Sequence, residues 1–335
     1  MKIQFFIGID ISSDVLDFCL LNNGVVVLEI QIKNNPRALK RMIKELRKLG
    51  INNKNSWFCA EHTGVYGNNL RLILEAEELY YSMVSATEIS RSIGLVRGKN
   101  DRADAMRIAE YCMRFSDKLK PSKLPAKYLV ELKQLFSFRK QLVKSRSGIK
   151  NYVKAMEKSL DSASQKQIIK QAKKQIRDTD KLIDGIELQM RQIINEKKET
   201  KQNYKLLISV PGIGLMTASY MIICTENFQL FENVRKFASY AGVAPFEHQS
   251  GSSIRGKTKT SKYRNKQMKT LLNNGMSAVI NGNNELANYY KRRIEEGKHK
   301  NKVKNAVVFK MISRAFSVIK RQTPYVQIDR YKFAV

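Results

Sequence analysis

Between Pro125 and Pro211 the chain contains no proline and only two glycines, Gly148 and Gly185, in a stretch dominated by Lys, Gln, Leu and Ile. Nothing there interrupts a helix, and the apolar residues recur with helical spacing. Tyr128, Leu135, Leu142, Ile149 and Met156 repeat every seven residues, and Ala172, Ile176, Thr179, Ile183, Ile186, Met190 and Ile193 alternate spacings of four and three. The pattern predicts two long helices turning at Asp161-Ser162-Ala163-Ser164 and lying antiparallel, a helical hairpin or coiled coil able to pair with a second subunit. It divides the chain into three expected domains, 1–120, a helical linker over 121–203, and 204–335.

The first of these alternates strands and helices. A period-2 run from Ile3 to Ile11 is followed by apolar strands over Val15–Leu21 and Val25–Ile32, joined at the hairpin signal Asn22-Asn23-Gly24. A helix over Pro36–Leu49 carries Leu39, Ile43, Leu46 and Leu49 on one stripe and stops at Gly50. A strand at Trp57–Glu61, a helix at Asn69–Glu78, a strand at Tyr80–Ser85 and a helix at Asp101–Phe115, capped by Asn100 or Asp101, complete a βββαβαβα order. From Tyr204 onward, apolar segments at Leu206–Cys224, Val234–Ala241, Met268–Ile280 and Val303–Ile319 predict a mainly helical region, with Lys291–Lys304 as a solvated basic face. The fold class is α/β plus α.

Charge narrows the choice of partner. The formal net charge is +31; residues 1–120 carry 18 basic and 14 acidic groups, whereas 121–335 carry 43 and 16. Such an excess concentrates polyanions, nucleic acid before an anionic membrane. No apolar run approaches the roughly 18–20 residues that cross a bilayer, and MKIQFFIGIDISSD meets an acid before forming a signal-peptide core, so a cytoplasmic protein with no membrane partner is expected. Cys19, Cys59, Cys112 and Cys224 include no C-x-x-C pair and read as reduced and structural. His62, His248 and His299 are too scattered for a metal motif, so any metal must be held by oxygen.

Four acids suit that purpose. Asp10 ends the first strand, on the face that alternation gives to Phe6 and Gly8, where Gly8 leaves room for a phosphate or metal to approach the backbone. Glu61 ends a later strand, and Asp101 and Asp104, three apart, project from one side of a helix. Hard cations such as Mg²⁺ or Mn²⁺ take oxygen ligands, and two of them about 3.5–4 Å apart stabilise both the attacking and the leaving oxygen of a phosphodiester. Taken singly, these acids read as a turn residue, a surface acid and a helix cap. Placed jointly in a βββαβαβα frame, they match the ribonuclease-H-like arrangement of phosphoryl-transfer enzymes.

FIGIDIS, AEHTGVYG and KNDRADAMRIA, followed by SVPGIG, FASYAGVAP and QSGSSIRG, together resemble the DEDD-type transposases of bacterial insertion sequences, family one hundred and ten, over about Ile3 to Gln322. The resemblance implies a RuvC-like N-terminal domain whose D-E-D-D set falls on Asp10, Glu61, Asp101 and Asp104, and a C-terminal transposase domain with a serine nucleophile. It further implies cleavage and exchange of donor and target DNA guided by a structured bridge RNA, by homodimers that pair into a tetramer. Ser250, Ser252 and Ser253 all offer hydroxyls; Ser250 occupies the place before glycine in the family's S-G element, with His248, Arg255 and Lys257 close by. Outside the family such a string reads as a flexible Ser/Gly loop. Arg255, Lys257 and Lys259 are candidate nucleic-acid contacts. So are Gly212 and Gly214 of Val210-Pro211-Gly212-Ile213-Gly214, which resembles a helix-hairpin-helix turn presenting N–H groups to a phosphate and equally reads as an ordinary helix-helix turn. Tyr263, Tyr289, Tyr290 and Phe309, interleaved with Lys and Arg, are candidates for base stacking or for the core. Two other functions fit: a RuvC-like nuclease hydrolysing branched DNA with two metals, and a non-catalytic basic protein that packages nucleic acid.

Overall fold

The computed structural model describes residues 3–92, 101–158, 163–231, 233–250 and 254–326, with the backbone alone for 246–250 and 254–259. Asn100, Asp161, Ser162, Ser252 and Ser253 lie outside the described residues. The chain forms two compact units, Met1–Leu124 and Pro125–Val335.

In the first unit β1 (Phe5–Ile11), β2 (Val15–Asn22), β3 (Val25–Lys33), β4 (Ser56–Glu61) and β5 (Tyr81–Val84) make one sheet in the order β3-β2-β1-β4-β5. β1 to β3 are an antiparallel meander. The turn between β2 and β3 sits on Asn23 and Gly24 at φ 49° and 87°, the positive pair that a two-residue hairpin requires. β4 and β5 add in parallel to β1, after α1 (Pro36–Lys48) and α2 (Asn68–Ala76) respectively. α1 starts where the Asn35 side chain accepts the Ala38 N–H at 2.9 Å with Pro36 as its first residue, and Gly50 at φ 78° follows its end. This is the ribonuclease-H-like, RuvC-like layout that the motifs imply.

Strand alternation sorts the two layers of core. Ile7, Ile9 and Ile11 pack with Leu39 and Ile43 of α1 and Leu70 and Leu74 of α2. Phe6, with Cys19 of β2 and Cys59 of β4, packs with Ala105, Ile108, Ala109 and Cys112 of α4 (Asp101–Arg114). A short α3 (Ala86–Ser92), too brief for its periodicity to announce, precedes α4. The three cysteines of this layer are free and buried.

The second unit begins with α5 (Lys127–Met156) and α6 (Ala163–Glu196). They run antiparallel, as the ion pairs Arg139–Glu187 at 2.7 Å, Arg146–Asp180, and Lys173–Glu157 at 2.7 Å require. The seven-residue series is only half-buried; Leu129, Leu132 and Phe136 beside it do the burying, against Ile186, Met190 and Ile194. That same core takes in α7 (Lys198–Ile208), α8 (Leu215–Thr225), α9 (Val234–Tyr240), α10 (Lys266–Ile280), α11 (Glu285–Glu295) and α12 (Lys300–Arg321). α11 was not among the expected elements: its first turn, where Leu286 and Ala287 are buried and the Asn284 side chain accepts both of their N–H groups at 3.0 Å, precedes Lys291–Lys304, and the residues of α11 within that segment are exposed apart from a half-buried Arg293, as a solvated basic face requires. The second departure from expectation is a β-hairpin within the helical region, β6 (Pro245–Ser250) paired antiparallel with β7 (Ile254–Thr260). Its strands, PFEHQS and IRGKTKT, carry almost no apolar alternation, so the period-2 signal is silent there.

Gly212 and Gly214 divide their roles. Gly212, at φ 82°, faces inward: a Cβ there would lie 2.5 Å from Val279 Cγ2 and 2.9 Å from the Gly275 carbonyl oxygen, and one on Gly275 would lie 2.1 Å from the Gly212 oxygen. The need for glycine at 212 is thus twofold, a positive φ and a close crossing with α10. Gly214 is exposed, with open space around it, at the start of α8. Gly275→Ala is therefore expected to cost about 3 kcal/mol in a urea titration, the upper range for overpacking against backbone, whereas Gly214→Ala, at the N-cap of α8, costs no more than about 1 kcal/mol.

Candidate active site

Asp10 stands next to the end of β1. Ile9 pairs with Ala60 in the parallel neighbour β4, so Glu61, the last residue of β4, lies beside Asp10 on the sheet rim. Asp101 and Asp104 occupy the first turn of α4, where the unpaired N–H groups favour negative charge. Oxygens of Asp10, Asp101 and Asp104 all come within 4.8 Å of one another. Glu61 is outside that trio but inside its field, since its charge is one of those acting on Asp10.

What brings a strand end and a helix start together is Gly8. The expectation that Gly8 leaves room for a phosphate or metal is corrected: its missing side chain is filled by α4 itself. A Cβ on Gly8 would lie 2.1 Å from the Ala105 carbonyl oxygen and 2.2 Å from the Ala109 nitrogen. Ala105 and Ala109, both buried and four apart, present the narrow face that lets α4 rest against the strand. Two residues along β1, on the same face, is Asp10. The motif alone does not reveal this pairing, although both alanines stand in KNDRADAMRIA, just after the acids.

Burial pushes the Asp10 carboxyl up to about 6 from 3.8; an Ile11 backbone N–H opposes this, and the charges of Asp101, Asp104 and Glu61 add to it. Arg107 was also missed by the motif. Its Nη1 lies 2.6 Å from Asp104 Oδ1, one helical turn on, and both side chains are half-buried. It holds the Asp104 carboxylate in place and offsets part of the local negative charge.

The donor set fits a hard divalent cation. Three carboxylates converge, Asp101 exposed and Asp10 and Asp104 half-buried, and the mutual repulsion that raises Asp10 is what a bound cation relieves. Asp10, Asp101 and Asp104 would hold it, with Glu61 at the margin. Such an ion supplies charge stabilisation at a phosphodiester undergoing displacement.

The remaining site residues belong to the second unit. Ser250 is the last residue of β6, its backbone paired with Ile254. Arg255, Lys257 and Lys259 take alternate positions along β7, where His248 is paired with Gly256.

The DEDD transposase model of the IS110 type matches residues 7–161, and a model described as Transposase IS116/IS110/IS902 family matches residues 204–291. The pilin gene-inverting protein of Moraxella bovis is 26% identical over 331 residues, 96% of this chain and 97% of that protein. The insertion element IS110 uncharacterized 43.6 kDa protein of Streptomyces coelicolor is 29% identical over 132 residues, 39% of this chain and 32% of that one. Among solved structures, T. thermophilus RuvC in complex with Holliday junction substrate aligns over 36% of this chain and 99% of its own, with a TM-score of 0.29 and 11% identity. No described helix is long and apolar enough to cross a membrane.

Proposed function

The chain belongs to the IS110 family of DEDD transposases, enzymes that cut and recombine DNA, and from that premise we propose that it exchanges DNA strands guided by a bridge RNA. The observation that carries the reading is the meeting of the Asp10, Asp101 and Asp104 carboxylates, a ligand set for Mg²⁺ or Mn²⁺. Residues 1–120 hold the cation, 204–335 bring Ser250, and the α5–α6 hairpin joins subunits into a homodimer and, in the synaptic state, a tetramer.

Ser250 acts as the nucleophile. Its oxygen bonds to the scissile phosphorus, the bond from phosphorus to one deoxyribose oxygen breaks, and the serine proton balances the charge left on the departing oxygen. The serine-linked diester retains the energy of the broken bond, so an incoming deoxyribose hydroxyl displaces the serine without a nucleoside triphosphate. Arg255, Lys257 and Lys259 neutralise backbone phosphates near it, with the exposed Gly214 turn as a further backbone contact. The second unit's large positive excess supports the binding of both DNA partners and a structured RNA. The same chemistry moves an element between molecules or inverts a segment within one, and the near-full-length similarity to a pilin gene-inverting protein supports both uses.

With Mg²⁺, the copurifying RNA and matching donor and target DNA, the wild-type protein is expected to give denaturant-resistant protein–DNA adducts. Ser250→Ala is expected to reduce them by at least about 10³-fold, the scale on which removal of a nucleophile acts. Undiminished adducts would take Ser250 out of the mechanism; free, unrejoined DNA ends with no adduct would instead support hydrolysis by a RuvC-like nuclease. Recombination that survives complete RNase digestion would remove the guide.

A further inference from the structure

We propose that the second unit carries a pocket for one unstacked nucleotide of a single strand, built by α9, α11 and α12 around the start of β6. It rests on the strand-exchange reading for its biological use, though not for its chemistry. The cavity measures about 690 Å³, within the range of small-ligand sites. Its walls are of two kinds. Pro245 and Phe309 are apolar, Arg235, Lys302 and Lys310 supply three cations, and no carboxylate lines it among the described residues. Tyr289 completes the wall, with the Lys310 ammonium 4.5 Å from its ring centroid, a cation–π contact that sets the charge at the pocket's edge.

The frame is tied from behind. Asn305 donates through Nδ2 to the Val243 carbonyl oxygen at 2.6 Å and accepts from Lys269 Nζ at 2.7 Å, joining α12 to α10 and to the approach of β6. Three cations alone would suit any phosphate, and an apolar aromatic wall alone any greasy ligand. Side by side in one cavity of this size, they suit a ligand that joins an anionic group to a flat apolar face, as a nucleotide does. A base inside a duplex has both faces covered, so the occupant must be unstacked. Tyr289 and Phe309, two of four aromatics scattered among basic residues in the sequence, meet here, whereas Tyr263 is 62% exposed and lines no part of it. Pro245 opens β6, and five residues of extended strand put Ser250 roughly 16 Å further on, so a strand anchored here is held a few nucleotides from the proposed scissile phosphate.

The test is fluorescence anisotropy on the full-length protein with short single-stranded DNA, the matching single-stranded RNA and a blunt duplex, across a salt series. Phe309→Leu keeps the apolar bulk and removes the flat face, and is expected to weaken single-strand binding about tenfold. Lys302→Ala with Lys310→Ala is expected to lower the salt slope for single strands by roughly 1.4, about 0.7 for each phosphate no longer neutralised, whereas Lys54→Ala on the other unit leaves it unchanged. Photocrosslinking of 5-iodouracil strands is expected to map to Phe309 or Tyr289. A response of DNA, RNA or both supports the pocket and identifies the strand. No response in either, or an equal loss with duplex, overturns it. None of these readouts needs cleavage. Pocket-dependent binding in a protein that exchanges no strands retains the pocket and removes the proposed function, and strand exchange with binding indifferent to these substitutions does the reverse.

Discussion

Asp10→Asn is expected to abolish DNA cleavage, by at least about 10³-fold, and at the same time to make the metal-free protein more stable at neutral pH. Both effects have one origin. The Asp10 carboxyl is half-buried beside Asp101, Asp104 and Glu61, and its folded pKa of about 6 stands above the unfolded 3.8. An acid raised in this way is held protonated by the folded state. Its favourable contribution is complete below the unfolded value and is lost as pH rises through about 6. The shift sets a ceiling near 3 kcal/mol, and solvent on the open side of the group reduces this to about 1 kcal/mol. More than half of this is already lost at pH 5, so metal-free wild type should melt about 1–2 °C higher at pH 5 than at pH 7.5 once other groups are controlled for. Asp10→Asn should remove that difference by raising the pH 7.5 melting point. Saturating Mg²⁺ should stabilise the wild type at pH 7.5 and leave the variant nearly unmoved. Differential scanning fluorimetry at the two pH values, with and without Mg²⁺, checks all four cells. A variant that melts lower than wild type at pH 7.5 without metal would show that Asp10 is an ordinary structural acid.

The sequence carried much of this, and unevenly. β1, β2 and β4 were legible as short apolar runs, buried on both faces of the sheet and bounded by turn residues, and α4 because Ala105, Ile108, Ala109 and Cys112 recur at helical spacing. The D-E-D-D positions were legible as element ends, and Asp101 and Asp104 do share the side of α4 that meets Asp10. The hairpin of β6 and β7 was not, because strands such as IRGKTKT owe their pairing to backbone hydrogen bonds without an apolar face. α11 was hidden by its own cations: its buried side is little more than Leu286 and Ala287. Arg107 and the Gly8–Ala105–Ala109 contact were illegible for another reason. A glycine in a strand and two alanines in a helix are each unremarked singly, and only the fold makes them partners.

That contact makes Gly8→Ala the most damaging alanine substitution among the described glycines of the first unit. The obstacles to the new Cβ are the Ala105 carbonyl oxygen at 2.1 Å and the Ala109 nitrogen and Cα at 2.2 and 2.8 Å, none of which can rotate away as a side-chain tip would. α4 must withdraw bodily, about 1 Å or more to restore ordinary contact, at a cost of about 3 kcal/mol or above. The helix carries Asp101 and Asp104 with it while Asp10 stays on the strand. A misplacement of that size costs on the order of 10²-fold in cleavage, and Mn²⁺ affinity read by electron paramagnetic resonance should fall alongside. Trimming the opposing side chain offers no relief, so Ala109→Gly on top of Gly8→Ala should restore neither stability nor metal binding. The control lies across the sheet: Ile43→Ala empties part of the α1 layer, where Ile43 is 2% exposed, and costs about 2–5 kcal/mol, yet its folded fraction should bind Mn²⁺ as the wild type does. If Gly8→Ala, matched to it in stability, kept full Mn²⁺ affinity, the acids would have to be positioned by something other than the seat of α4 on β1.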